Sequence, residues 1–313
     1  MAACAPGTSG PDTAAGNADD PTSLEPITPN DDFYTVAISG WQPDEAWLAA
    51  WSLTITDPDG NSFSLSLDDL AAVGTAEVEH TLSCIGSRSG SATGNAVWTV
   101  VSLDELLAFL GIESDAPYLR FTSGDGYSTT LPRTDVANGL GLATGMNGVP
   151  LPSAHGAPLR ALVPGRYGMK NPKWIERIDL VNEWEAGFWE SKGWSDSAEY
   201  HVFSWFIKPD AYATAAKEGA YIHGIAFAGE RSVAKVELSE DGGLTWFEAE
   251  IVYPGGPGVW TIWRLHWVPS STGEVTLQVR ATAADGTVQA DTETSDADLD
   301  GLEAHDRRIF VVV

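Results

Sequence analysis

Two stretches of the chain hold residue types at spacings that could do chemistry. The first is His80-Thr81-Leu82-Ser83-Cys84-Ile85-Gly86-Ser87-Arg88-Ser89-Gly90. It reads as a strand running into a Gly/Ser loop, with the thiol at the junction. Such a loop can present a thiolate, because backbone N–H groups and Arg88 would lower the thiol pKa. The same pattern fits an inert small hydrophobe at a strand end. The second stretch runs from Met146 to Trp174. In a chain with 17 Lys and Arg, it places His155, Arg160, Arg166, Lys170 and Lys173 within 19 residues. The Gly and Pro around them enforce loops. Cations concentrated in rigid loops of an acidic protein point to an anion site, one suited to a phosphate-bearing ligand. Surface charge balancing acidic neighbours is the alternative. No P-loop or Gly-x-Gly-x-x-Gly accompanies the cluster, so an ordinary nucleotide site is not indicated. A Cys–His hydrolase would pair Cys84 with His80 or His155. It would leave the cation-rich loop without a role.

The elements that must position these residues are bounded by composition. The 313 residues are 43% apolar and 10% aromatic with 13 Trp, ample for packed cores. At about 150 residues per domain the length suggests two domains. Asp and Glu total 44, and the net charge is −27. Such a surface repels phosphate backbones and anionic lipid heads, which argues against nucleic acid and membrane-surface partners. Only six of the cations are Lys, a bias that fits a high-salt habitat or a GC-rich genome. No apolar run is long enough to span a bilayer. The two cysteines, Cys4 and Cys84, allow no Cys-x-x-Cys pair, zinc spacing or Cys-x-x-Cys-His haem site. Redox chemistry would therefore need a bound cofactor or Cys84 itself.

Residues 1–26 are small, polar and turn-forming, which predicts a flexible tether. Met1-Ala2-Ala3-Cys4 resembles the end of a bacterial lipobox, without the hydrophobic region that should precede it in the sequence. It sets up two expectations, a lipid anchor at Cys4 or an ordinary tether. Over 27–207 the pattern is mixed. Trp51 to Ile55 alternates as a strand and Asp57-Pro58-Asp59-Gly60 turns. Ser66 and Ser102 offer N-caps to short helices, and Gly111 closes the second. Short strands and helices in irregular order predict an α+β domain. Residues 208–218 are the expected linker. From 219 to 313 strands recur between turn signals, including Ala234–Ser239, Thr245–Ile251, Trp260–Trp267 and Val275–Arg280, and predict a β-sandwich.

The run MNGVPLPSAHGAPLRALVPGRYGMKNPKWIERI resembles the molybdopterin-binding stretch of the sulfite oxidase family. TLSCIGSRSG followed by NAVWTVVSLDELLAFLGI resembles that family's segment around its metal-ligating cysteine, and SEDGGLTWFEAEI resembles its C-terminal immunoglobulin-like domain. The similarity covers about residues 27–313 in the family's order. The sister branch that includes bacterial periplasmic sulfoxide reductases shares the core and generally lacks the sandwich. The resemblance implies a molybdenum held by one molybdopterin and one thiolate, matching Cys84. Soft thiolate ligation of a redox metal agrees with the reading of the loop. It implies cofactor contacts from Asn30, Tyr34, His155, Arg160, Lys170 and Lys173, with the His, Arg and Lys acting as charged donors. It makes Arg88 a catalytic candidate. It also implies an enzyme with a small-molecule substrate, and a homodimer is expected. The Cys4 tether adds the expectation of export, and the lack of a haem or flavin motif that of a separate cytochrome or quinone-linked electron-transfer partner.

The chain departs from the family where sulfite would bind. Pocket arginines of sulfite oxidases fall at Val36, at Ser89 and, in a looser alignment, near Asp300. The pocket tyrosine falls in a short deletion near Lys192. A neutral oxo compound such as a sulfoxide is therefore the expected substrate. The alternatives are sulfite oxidation with cations from other positions, and a non-catalytic module that keeps the fold.

Overall fold

The computed structural model describes residues 24–292, 297–301 and 303–313, so Cys4 lies outside the described residues. An α+β domain is followed by a β-sandwich. In the first domain, one sheet runs Ser62–Leu65, Leu53–Thr56, Ile175–Val181, Tyr118–Ser123, Ser128–Pro132. The other runs Ala76–Ser83, Thr93–Ser102, Gly141–Met146, Val149–Pro150, with Arg160–Leu162 also paired to Gly141–Met146. The α-helices are four to seven residues long. The helix Leu67–Val73 starts in a capping box of Ser66 and Asp69. The helix Leu103–Phe109 starts at Ser102, whose hydroxyl accepts from the Glu105 N–H, and ends at Gly111 with φ +68°. Their apolar faces, with Leu70, Leu103, Leu106 and Leu107, pack on Leu53, Ile55, Leu119, Phe121 and Ile178 as one core.

The sandwich begins earlier than the sequence suggests. Phe203–Lys208 pairs antiparallel with Ala220–Phe227, and Thr214–Ala215 pairs with Asp306–Val312 in the opposite sheet. Residues 208–218 are thus a crossover inside the sandwich, not a linker between domains. The physical reason is burial: Phe206 is fully enclosed by the sandwich core beside Trp263, and Ala215 joins the same core. The expected strand Thr245–Ile251 is also divided. Phe247–Glu248 pairs with Val233–Ser239, whereas Glu250–Tyr253 pairs with Thr261–Trp267 in the other sheet. The chain changes sheets at the buried Ala249.

A third cluster joins the two domains. Ile85, Tyr167 and Met169 pack against Phe203, Trp205, Phe227 and Trp260. Hydrogen bonds fix the end of the strand Ala76–Ser83 to this seam. Thr81 N–H donates to the Gly258 carbonyl (2.9 Å), Trp260 N–H to Thr81 Oγ1 (2.9 Å) and Ser83 N–H to Tyr200 Oη (2.9 Å). Cys84 is the next residue, so its place depends on both domains.

Gly224 is required within one sheet of the sandwich, between its two flanking strands. A Cβ there would lie 2.1 Å from the Trp205 carbonyl and 2.2 Å from the Trp263 ring. Gly224→Ala should destabilise the protein by about 3 kcal/mol or more, the upper end for overpacking. Urea denaturation checks this; an unchanged midpoint would contradict the packing described.

Candidate active site: a thiol and two cations in one cavity

A cavity of about 200 Å³ opens between the cysteine loop and the cation-rich loops. Cys84, Tyr34, His155, Arg160 and Lys173 line it together, although they lie up to 139 positions apart in sequence. Cys84 follows its strand directly. Its N–H donates to the Ala92 carbonyl, and its carbonyl accepts from the Ser87 N–H, closing the expected turn. Gly168 lets a neighbouring loop approach: a Cβ there would meet Tyr34 Oη at 2.8 Å and the Ser83 carbonyl at 3.3 Å. Burial pushes the Cys84 thiol up, against a lowering bond from the Gly86 backbone. This corrects the expectation of a thiolate set by the loop alone. Ionisation here calls for a cation on the sulfur, which a bound metal would supply.

Arg160 is 5% exposed, and among the described residues no carboxylate pairs with it. Its Nη1 donates to the His155 carbonyl (3.0 Å), its Nη2 to the Asn171 carbonyl (3.4 Å), and the guanidinium lies 5.0 Å from the Trp98 ring centroid. Its Nε has no partner. Burial lowers its pKa to about 10. A buried cation with an orphaned donor, on a residue that lines the cavity, fits an anionic ligand. Lys173 Nζ donates to the Ala154 carbonyl (3.0 Å) and sits 4.1 Å from the Trp174 ring centroid. Burial, then repulsion from Arg160, brings its pKa down to about 8. Trp174 has φ +54°, a left-handed conformation costly for a bulky residue. Its Nε1–H bond to the Ser153 carbonyl (2.8 Å) helps hold that geometry.

Several expected site residues play other parts. His155 Nε2 lies 2.7 Å from the Asn30 carbonyl, and a carbonyl only accepts, so Nε2 carries the proton. Burial lowers the His155 pKa. It is therefore a neutral imidazole whose Nδ1 accepts, not the charged donor expected. Asn30 does not line the cavity; it stands behind His155, with Oδ1 accepting from Asn147 Nδ2 (2.8 Å). Lys170 is also away from the cavity. Its ammonium, 1% exposed, is paired with Glu190 and donates to Thr129 Oγ1 (3.2 Å) and the Thr130 carbonyl (3.3 Å). Arg166 forms a two-bond pair with Asp135 (2.7 and 2.8 Å). Arg88 is exposed and outside the cavity lining, as is Ser89. Asp300 is likewise outside the lining; its carbonyl bonds the His201 ring. Of the three positions where pocket arginines were missed, only Val36 lines the cavity.

Sequence reasoning missed Asn171, Trp189 and Trp194. Asn171 had a signal, an Asn-Pro step inside the cation-rich loop. Its Oδ1 accepts from the Val163 N–H (2.7 Å) and its Nδ2 donates to the Arg166 and Tyr167 carbonyls. The two tryptophans had none beyond their type. No group of three or more potential metal-ligating His, Cys, Asp or Glu occurs among the described residues, and Cys84 is the thiol that lines this cavity.

The fold and this cavity define a molybdopterin-binding oxidoreductase domain: residues 39–189 match the family description "oxidoreductase molybdopterin binding domain". The chain is 30% identical to mitochondrial sulfite oxidase of Rattus norvegicus over 88% of its length, and it spans about 60% of that relative. It is 28% identical to the sulfite oxidase of Arabidopsis thaliana, with 74% of each chain covered. The sulfane dehydrogenase SoxCD of Paracoccus pantotrophus has the same fold, with a TM-score of 0.70 at 21% identity, covering 86% of this chain and 75% of that one. Together these similarities support the sulfite oxidase family of molybdopterin-dependent oxidoreductases as the family of this chain.

Two measurements test the site. Glu190→Ala would strand a buried ammonium and should cost about 3–5 kcal/mol in denaturant unfolding; a loss under 1 kcal/mol would contradict the buried pair. For Lys173 the charge is present below pH 8 and lost above it. Calorimetric binding of inorganic pyrophosphate to cofactor-free protein should weaken about tenfold from pH 7 to 9, by linkage to that proton. Lys173→Met should remove most of the dependence; an identical slope in both proteins would contradict the assignment.

Proposed function

We propose that the protein is a molybdenum-dependent oxidoreductase that transfers an oxygen atom to or from a neutral substrate. The observation that carries this reading is the buried, carboxylate-free Arg160 sharing one cavity with Cys84. A non-catalytic module would have no use for either. Arg160 and Lys173 would hold the phosphate and ring of the pterin, with His155 Nδ1 accepting from a ring N–H. Cys84 would be the metal's protein ligand, and Tyr34 would stand beside it. When bound, the cofactor would supply two-electron oxygen-atom chemistry. The residues of the chain orient it and exclude water.

Reduction of a sulfoxide consumes two electrons and two protons and yields a sulfide and water. The electrons would come from a separate cytochrome or quinone-linked protein. The preference for a neutral compound is supported by the cavity wall. Val36, Ile85, Met169 and tryptophans surround it where a small dianion would need charge-assisted donors. Sulfite oxidation is the second reading, favoured by the names of the relatives. We further propose an immunoglobulin-like role for the sandwich as a homodimer surface. Export to the periplasm or beyond, with Cys4 as a lipid anchor, completes the reading. No helix among the described residues is long and apolar enough to cross a membrane.

Protein made in a host that synthesises the cofactor should carry about one Mo per chain and lose turnover in Cys84→Ser. It should reduce small sulfoxides with higher kcat/KM than it oxidises sulfite, assayed with artificial electron carriers. Val36→Arg should raise sulfite kcat/KM about tenfold, the worth of one charge-assisted bond of about 1.5 kcal/mol. Protein without Mo would sink the enzyme reading, and efficient sulfite turnover by the wild type would sink the neutral-substrate preference.

A further inference from the structure

The cavity has two chemically different ends. Arg160, His155 and Lys173 supply the polar one, which the proposed cofactor occupies. Ile85, Met169, Trp189 and Trp194 supply an apolar one that the cofactor reading does not use.

The apolar end is a built surface. Trp189 and Trp194 lie edge to face, with centroids 5.9 Å apart at 71°, and Phe188 backs Trp189 at 5.1 Å and 90°. The tip of the Trp194 ring lies over the cysteine loop: a Cβ on Gly86 would be 3.5 Å from it. The segment carrying both indoles is tightly held. A Cβ at Gly187 would fall 2.2 Å from the Ser128 carbonyl, so only glycine lets the segment press onto that strand. Gly193 turns the chain at φ +91°. Between the indoles, Glu190 points inward to Lys170 and accepts from Thr129 Oγ1 (2.6 Å). The buried pair therefore fixes the two rings before any ligand arrives, and little ordering remains to oppose binding.

We propose that Trp189 and Trp194 are the specificity-determining wall of the substrate site, and that the wall takes an uncharged aromatic group attached to the oxygen-bearing atom, with aryl sulfoxides as the ligand class. The inference rests on the oxidoreductase reading above and narrows its substrate. An aryl ring gains edge or offset contact with the indoles, whereas a small sulfoxide reaches fewer of those atoms and a dianion gains nothing. Glu190 and Lys170 are positioning residues for this wall.

The test uses cofactor-loaded full-length protein, methyl phenyl sulfoxide and dimethyl sulfoxide. Calorimetry gives affinity without turnover, and steady-state assays give KM and kcat for each. The wild type should bind the aryl compound at least tenfold more tightly, a difference of about 1.4 kcal/mol. The preference should fall to about threefold or less in Trp189→Ala and Trp194→Ala, chiefly through KM, and return in Trp194→Phe. Glu190→Gln should weaken it, with a KM effect that a purely structural loss of folded protein would not produce. Equal affinity of the wild type for the two sulfoxides overturns the proposal, as does a preference that survives both alanine variants. Absence of Mo from the wild-type protein would instead count against the oxidoreductase reading, and the calorimetric comparison would still decide whether the wall binds aryl groups.

Discussion

A guanidinium enclosed by protein, with no carboxylate among the described residues to neutralise it, is the constraint around which this structure is arranged. Arg160 is held by two backbone carbonyls and the face of Trp98. Each support is itself fixed. Trp98 Nε1–H bonds the His80 carbonyl (3.0 Å), and Asn171 is tied into its loop through three backbone groups. The neighbouring imidazoles add no further positive charge: burial, assisted by Arg160, brings His80 down to about 4, and burial lowers His155 as well. In a chain of net charge −27, acidic side chains are abundant, yet among the described residues none closes this pair. The missing counter-charge is what an anionic cofactor would bring.

The other cations of the same stretch show the contrast. Arg166 and Lys170 meet Asp135 and Glu190 and serve the architecture. Their pairs hold the loops on which the cavity-lining residues ride, and the Lys170–Glu190 pair also sets the aromatic segment opposite Cys84. The second domain contributes no residue to the cavity lining, but Tyr200, Gly258 and Trp260 fix the strand that ends at the thiol. Domain seam and active cavity are thereby coupled through one strand end.

Much of this was legible in the sequence because it depends on local signals. The capped helices at Ser66 and Ser102, the strand-to-loop junction at Cys84 and the Gly/Pro geometry of the cation-rich loops all follow from neighbours in the chain. The family resemblance brought Tyr34, Arg160, Lys173 and Cys84 to one place, and the structure groups them. What was not legible depends on distant partners. Nothing near Lys170 reveals that Glu190 will take its charge, and nothing near His155 reveals that the Asn30 carbonyl will set its tautomer. The sandwich boundary was misplaced because Phe203–Lys208 reads as a strand without saying which sheet it joins. The sheet change at Ala249 is hidden for the same reason, since alternation continues through it. Trp189 and Trp194 lie in a Gly- and Ser-containing stretch with no periodicity, and only folding puts them over the cysteine loop.

The central claim is that Cys84 binds the metal of a cofactor anchored by Arg160 and Lys173. Molybdenum K-edge X-ray absorption on the purified protein tests it most directly. The account predicts a sulfur shell around molybdenum that loses one scatterer in Cys84→Ser while the remaining sulfurs stay. A sulfur shell unchanged by that substitution, or the absence of a molybdenum edge from the wild-type protein, would contradict it.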